Sequence, residues 1–221
     1  MSGWFANIDW SDIGQACLDT LAMLGGSLVL TILLGLPLGV LLFLTSGRQL
    51  LQNRAANAAV GFIVNVLRSV PFVILLIVMI PLTVALVGTS LGVVGAIPPL
   101  VVGAAPFFAR LVESALREVD RNTIEAVQSM GATTSQTVWR ALIPEAMPGI
   151  ISAATVTAVA LVSFTAMAGV VGAGGLGDLA IRFGYQRFQT DVMIVTVVIL
   201  ILMVQAIQFA GDRLAQHYTR R

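Results

Sequence analysis

The amino-acid sequence predicts an all-α, polytopic membrane protein with about five transmembrane helices. Hydrophobic residues occupy 57% of the 221 positions and charged residues only 10%, whereas a soluble domain has about 45–50% apolar and about 25% charged residues. The mean hydropathy of +0.95 and several long apolar runs indicate the same class. Since the net charge is only +1, we expect no nucleic-acid partner.

Five apolar runs are long enough to cross a membrane. A helix rises 1.5 Å per residue, so roughly 20 apolar residues span the hydrocarbon core. The runs are residues 21–45, 57–82, 91–112, 147–171 and 190–210. The second and third runs are separated because Pro81, Gly88 and Gly92 interrupt an otherwise overlong apolar stretch.

The distribution of arginine predicts the orientation in the membrane. All twelve basic residues are arginines, and basic residues are enriched in cytoplasmic loops. Arg182 and Arg187 fall on one side of the five-span arrangement. Nine others fall on the opposite side: Arg48, Arg54, Arg110, Arg117, Arg121, Arg140, Arg213, Arg220 and Arg221. We therefore expect a multi-pass protein of the inner (cytoplasmic) membrane with its N-terminus outside and its C-terminus in the cytoplasm.

This orientation divides the chain into an external N-terminal segment (1–20), a transmembrane domain (21–210) and a cytoplasmic tail (211–221). The transmembrane domain contains one long polar loop, residues 113–146, on the cytoplasmic side. Glu113 and Arg117 at the start of this loop have helical i,i+4 spacing and are expected to form an ordinary surface ion pair.

The first half of the loop predicts a short amphipathic helix. Asn122 followed by Glu125 resembles a capping box, and Ile124, Val127 and Met130 recur at a spacing of three, which gives one apolar stripe. Gly131 is a natural C-terminal stop.

The second half predicts another short helix. Thr133 with Gln136 repeats the capping signature, Val138 and Leu142 supply an apolar stripe, and Pro144 should end the helix. The loop is therefore a helix–turn–helix that lies either on lipid headgroups or in a groove of a partner protein. The second interpretation is favoured because membrane-surface helices are usually rich in Lys and Arg and the first helix is not.

Three side chains in the spans are candidates for a translocation pathway or gate. Arg68 is the one charge well inside a predicted span, where a charged residue by default has a function. Snorkelling from a shallow position is the alternative. Ser163 and Met167 lie in the fourth span, where a hydroxyl or a flexible thioether could line a pathway. Hydrogen bonding between helices and plain packing are the alternatives for these two.

Two nucleotide-binding motifs are excluded by context or composition. Residues 172–177, GAGGLG, match the dinucleotide fingerprint, but that fingerprint needs a βαβ unit around it. Here it follows a membrane span, so we expect a tight turn. A phosphate-binding P-loop requires a lysine, and the chain has none. No catalytic constellation is found, so the chain is not expected to be an enzyme.

The loop resembles that of bacterial ABC-importer permeases, which has the pattern Glu-Ala-Ala, three residues, Gly, nine residues, Ile, one residue and Leu-Pro. Val127 and Ala141 depart from the second alanine and the isoleucine. Four positions match, and a fifth keeps an apolar residue in place of leucine: Glu125, Ala126, Gly131, Pro144 and Ile143.

Further segments narrow the resemblance to the methionine-import permeases. They include RSVPFVILL (68–76), LIPEAMPG (142–149) and VGAGGLGDLAIRFGYQRF (171–188), and the likeness covers residues 18–214. It implies a homodimer that works with two ATP-binding cassette subunits, which bind the ATP, and with a periplasmic or lipid-anchored methionine-binding protein. The chain itself would need no cofactor or metal, and membrane lipid would be a further partner of its spans.

In that resemblance the five loop residues contact the ATPase and transmit its closure to the spans. The cargo would be methionine in its L- and D-forms, moved by alternating access. Two alternatives stay open. The chain could import another amino acid or small metabolite. It could instead be a passive channel or a membrane scaffold, and a channel would conduct or leak without ATP.

Overall fold

The computed structural model describes residues 8–219, and these residues form helices and turns without any strand. In chain order the helices are α1 (Trp10–Thr45), α2 (Arg54–Ser69), α3 (Phe72–Val78), α4 (Ile80–Val87), α5 (Gly92–Arg117), α6 (Arg121–Ser129), α7 (Thr134–Thr137), α8 (Ile143–Glu145), α9 (Met147–Gly169), α10 (Gly175–Leu179) and α11 (Thr190–Thr219). Two π-helical turns, Val138–Leu142 and Ala180–Tyr185, follow α7 and α10. The predicted all-α class is confirmed.

Four of the described helices are long and apolar enough to cross a membrane, namely α1, α5, α9 and α11. The bent pair of α2 and α3 makes a fifth crossing if it is counted as one span. α1 begins at Trp10, well before the predicted start at residue 21, because the Asp9 carboxylate caps it by accepting from the Ser11 N–H at 2.9 Å. Residues 1–7 of the predicted external segment, and Arg220 and Arg221 of the predicted tail, lie outside the described residues.

The span predicted at 57–82 is divided into separate helices, because the chain turns by 102° between α2 and α3. Pro71 has no N–H to continue the helix. It also forces the preceding residue out of the helical region, and Val70 is extended with φ −78° and ψ 124°. The boundary expected at Gly88 is correct, since Gly88 ends α4 with a positive φ of 81°.

The contact between α1 and α5 is the most extensive in the fold, and α5 also touches α2, α3, α4 and α9. Glycine in α1 permits the backbones of α1 and α5 to approach each other closely. A methyl group on Gly39 of α1 would lie 2.6 Å from the Ala109 backbone oxygen and 2.7 Å from Cβ of Val112. Small residues at such positions are typical of helix contacts in membranes, where backbones must come close together.

Gly39→Ala should therefore lower the unfolding temperature of the protein in detergent, because overpacking a tight contact usually costs about 1–3 kcal/mol. The matched control is Gly25→Ala in the same helix, where the added methyl group would meet no atom within 4 Å. The control should keep or raise the melting temperature, since alanine favours helix over glycine. Equal melting temperatures for the two variants would contradict this account of the α1–α5 contact.

Candidate functional site

The first loop helix, α6, begins two residues earlier than the capping signature predicts. Asp120 is its N-cap, and the Asp120 carboxylate accepts from the Asn122 N–H at 2.9 Å. The predicted cap at Asn122 is therefore wrong, because Asp120 caps the helix two residues earlier. Glu125 instead forms an ion pair with Arg121 at 2.8 Å, and the two side chains are 58% and 66% exposed.

The turn at Gly131 is the sharpest feature of the loop and was correctly predicted. Gly131 follows α6 with a φ of +80°, a left-handed conformation that glycine adopts without steric cost. The next helix then starts with the predicted capping box, in which the Gln136 N–H donates to Thr133 Oγ1 and the Thr133 N–H donates to Gln136 Oε1. Glu125 and Ala126 thus lie on α6, with Gly131 in the turn that follows.

Pro144 does not end the second loop helix as predicted. The backbone widens into a π-helical turn at Val138–Leu142, where the Ile143 N–H donates to the Val138 carbonyl. The helical path continues through α8, with Pro144 in its first turn, where a missing N–H costs little. Only a turn at Ala146 separates α8 from α9, so the loop leads almost directly into a membrane span.

The loop has a buried inner face and an exposed outer face. Ile124, Val138, Leu142, Ile143 and Ala146 are buried in one apolar cluster with Phe43 of α1, Phe108 of α5 and Ile150 of α9. The sequence predicted that Ile124, Val127 and Met130 form one apolar stripe available to a partner protein, and this is wrong. Ile124 is buried, whereas Met130 is 78% exposed, because the chain turns away from the core at the end of α6.

The outer face carries most of the predicted contact residues. Glu125, Ala126, Gly131 and Pro144 are exposed, and only Ile143 is buried, at 7% exposure. Met130 and Trp139 add large exposed apolar groups, with 78% and 65% of their surfaces accessible. We define the outer face as these exposed residues and use this name below.

A buried ion cluster at the base of the loop was missed by the sequence prediction. Glu113 and Arg117 form the predicted ion pair, but Glu113 is only 4% exposed, so the expected surface position of its carboxylate is wrong. Its carboxylate accepts from Arg110 at 2.7 Å and from Arg117 at 2.6 Å. Arg110 also donates to the Gly61 carbonyl at 3.2 Å and to the Asn65 side chain at 3.0 Å. The cluster therefore ties α2 to the last turns of α5.

The three pathway candidates lie in two separate clefts. Ser163 and Met167 are exposed on α9 and line a cleft of about 520 Å³ between α9 and α11. Arg68 lies in the last turn of α2 and lines a cleft of about 290 Å³ that Phe107 of α5 and Phe164 of α9 also border. The structure thus places Arg68 beside the helix break and apart from the other two residues.

The glycine run at 172–177 forms the tight turn that was expected. Gly172, Gly174 and Gly175 have φ values of +88°, +78° and +80°. The run joins α9 to the short α10, with no strand before it. A dinucleotide site would need such a strand, so this run serves chain reversal.

These features define a class of protein: a helical membrane subunit whose spans are rigidly joined to a surface loop with an exposed face. Comparison with known proteins gives the family. Residues 32–221 match the family described as "Binding-protein-dependent transport system inner membrane component", and the chain belongs to that family.

Relatives in other bacteria cover almost the whole chain. The methionine import system permease protein MetP of Bacillus subtilis is 48% identical over 99% of this chain and 98% of its own length. The D-methionine transport system permease protein MetI of Escherichia coli K12 is 49% identical over 92% of this chain and 94% of its own.

Solved structures agree with that assignment. An inward-facing MetNI methionine ABC transporter contains a chain that is 47% identical to this one, with a TM-score of 0.94 over 96% of this chain and 98% of that chain. An amino acid ABC transporter crystallised with histidines shares the fold at 17% identity, with a TM-score of 0.76 over 94% of each chain.

Glu113→Gln should destabilise the protein by about 3 kcal/mol, near the lower end of the range for breaking a buried ion pair. The lower end applies because the Arg117 side chain remains 51% exposed. The measurement is thermal or denaturant unfolding in detergent. Arg121→Gln is the control, since it breaks the exposed pair with Glu125, and it should cost less than about 1 kcal/mol. A loss no larger than that of the control would show that the buried cluster does not hold the helices.

Proposed function

We propose that this chain is the membrane-spanning permease subunit of an ATP-driven ABC importer that carries methionine, in its L- and D-forms, across the inner membrane. The observation that carries the proposal is the near-complete likeness to methionine permeases, at 48% identity over 99% of the chain for one relative and a TM-score of 0.94 for a solved methionine transporter chain. An importer of another amino acid is the alternative that the uptake experiment below would detect.

The two faces of the loop suit the coupling role. The outer face is free to enter a groove of an ATP-binding cassette subunit, and its exposed Met130 and Trp139 supply apolar area for such a contact. The inner face is part of the same buried cluster as α1, α5 and α9. A displacement of the loop by the ATPase would therefore move whole spans, because close-packed interiors transmit strain.

The chain needs partners for the rest of the cycle. We expect a homodimer, since a two-fold axis presents one loop to each of two ATPase subunits. In α11, only 11% of the most apolar segment is buried, which leaves a broad surface for lipid or for a second copy.

ATP would be bound and hydrolysed by the cassette subunits, because a chain without lysine has no P-loop. A periplasmic or lipid-anchored binding protein would deliver methionine from outside.

The orientation follows from the loop. If the outer face meets a cytoplasmic ATPase, then the loop and the C-terminal end of α11 lie in the cytoplasm and the N-terminus lies outside. ATP-driven closure of the two cassette subunits would bring the loops together and open the spans outward, and hydrolysis would restore the inward-facing state.

The experiment is reconstitution of the chain with candidate cassette and binding-protein subunits, followed by uptake of labelled methionine. Uptake should require ATP and all three components. A complex that assembles and hydrolyses ATP but imports a different amino acid would retain the transporter class and reject methionine. Uptake that continues without ATP would favour a channel.

Gly131→Val should abolish both ATPase association and uptake, because a β-branched residue strongly disfavours the positive φ that the turn requires. The matched variant is Gly131→Asn, since asparagine adopts the left-handed conformation more readily. It should keep the turn and retain most of the association. If both variants bind the ATPase as well as the parent, the turn is not part of the contact.

A further inference from the structure

Arg68 is placed where a membrane span is broken. It lies in the last turn of α2, just before the 102° bend to α3. The salt bridges of residues 8–219 join other arginines to Asp or Glu, and none includes Arg68. The Arg68 side chain is exposed, and α2 and α3 together are apolar enough to cross a membrane. Because a cation facing the membrane interior without an acidic neighbour is costly, we expect Arg68 to pair with an anion that residues 8–219 do not supply.

The cleft beside Arg68 is small and aromatic. Phe72 of α3 and Phe164 of α9 stack with ring centroids 4.5 Å apart, and the guanidinium carbon lies 5.9 Å from the centroid of Phe107. Gly103 leaves room for the Phe72 ring, since a methyl group there would be 3.2 Å from a ring carbon. With about 290 Å³, the cleft is at the lower end of the usual range for small-molecule sites, which suits a ligand of amino-acid size.

The helix break also leaves a backbone acceptor near Arg68. In a continuous helix the Leu67 carbonyl would accept from the N–H of residue 71, but that residue is Pro71, which has no N–H. Leu67 lines the same cleft. Broken membrane helices commonly use such free carbonyls to bind cationic groups. The cleft thus offers a cation and a free carbonyl from α2, together with aromatic side chains from α3, α5 and α9.

We propose that this cleft is a binding site for the transported amino acid, in which Arg68 pairs with the α-carboxylate. The ammonium group of the amino acid donates to the carbonyl end of α2. Phe72, Phe107 and Phe164 surround the uncharged, flexible side chain of the amino acid. The inference rests on the proposed import function and adds a ligand site within the permease itself. The carboxylate is the anion to which we commit, although a lipid phosphate has similar chemistry.

The test uses the full chain in complex with its cassette subunits in lipid nanodiscs, without the binding protein and without ATP. The probe is the diazirine analogue of methionine, which crosslinks to nearby residues on illumination, and the labelled peptides are identified by mass spectrometry. The variants are Arg68→Gln and Arg68→Lys. Arg54→Gln is the matched control, because Arg54 is an exposed arginine at the other end of α2.

Labelling should map to the segments around Leu67–Leu75, Gly103–Phe107 or Phe164 and should be competed by methionine but not by methioninamide, which lacks the carboxylate. Arg68→Gln should reduce this labelling at least about tenfold, as expected for loss of a charge-assisted hydrogen bond, and Arg68→Lys should reduce it less. Arg54→Gln should label like the parent. Equal melting temperatures and equal ATPase association would show that Arg68→Gln is folded.

Labelling elsewhere, or labelling that Arg68→Gln leaves unchanged, would overturn the site. The site would also be overturned if Arg68 binds only lipid. Anionic lipid would then raise the melting temperature of the parent but not that of Arg68→Gln, and methionine labelling would not depend on Arg68. A parent complex that imports methionine but shows no label in the cleft would reject this site alone. A parent that imports no methionine would reject the proposed function instead.

Discussion

The buried carboxylate of Glu113 is the interaction on which the arrangement of the loop and spans depends. It receives two arginines from its own helix, and Arg110 continues the network to the Gly61 carbonyl and the Asn65 side chain of α2. Buried charges are tolerated only when they are paired and hydrogen-bonded. The network therefore fixes α2 against the last turns of α5, just before the chain enters the loop.

The apolar contacts around this network turn the loop into an extension of the spans. Phe108 and Leu116 of α5 are fully buried in the cluster that contains Ile124 and Leu142 of the loop. Because α8 runs into α9 with only a turn at Ala146 between them, the C-terminal end of the loop is joined closely to a span. A lipid-resting loop would not need such an inner face, and this favours a mechanical role.

The sequence predicted the long apolar helices, the turn at Gly131 and the capping box at Thr133 because each depends on local chemistry. Apolar length determines a span, and a left-handed turn requires glycine almost alone. Features that depend on distant residues were not predictable. The cluster around Glu113 includes Gly61 and Asn65 of another helix, which accept from Arg110, and the spacing of Glu113 and Arg117 alone is the same as in an exposed pair. The bend at Pro71 had a local signal, but proline is also common in unbroken membrane helices.

The same contacts indicate where relative motion of the spans should concentrate. α2 is held to α5 by Arg110, whereas α3 is held to α9 by the stacked rings of Phe72 and Phe164. Any shift of α5 against α9 that the loop imposes must be absorbed between these two anchors. The linker between α2 and α3 consists of Val70 and Pro71, and Val70 is the more easily rotated because proline fixes its own φ. Arg68 lies two residues before Val70, so a change in loop position would change the distance between its guanidinium and the rings of Phe72 and Phe164. A ligand between the guanidinium and these rings would be bound tightly in one position of the loop and released in the other.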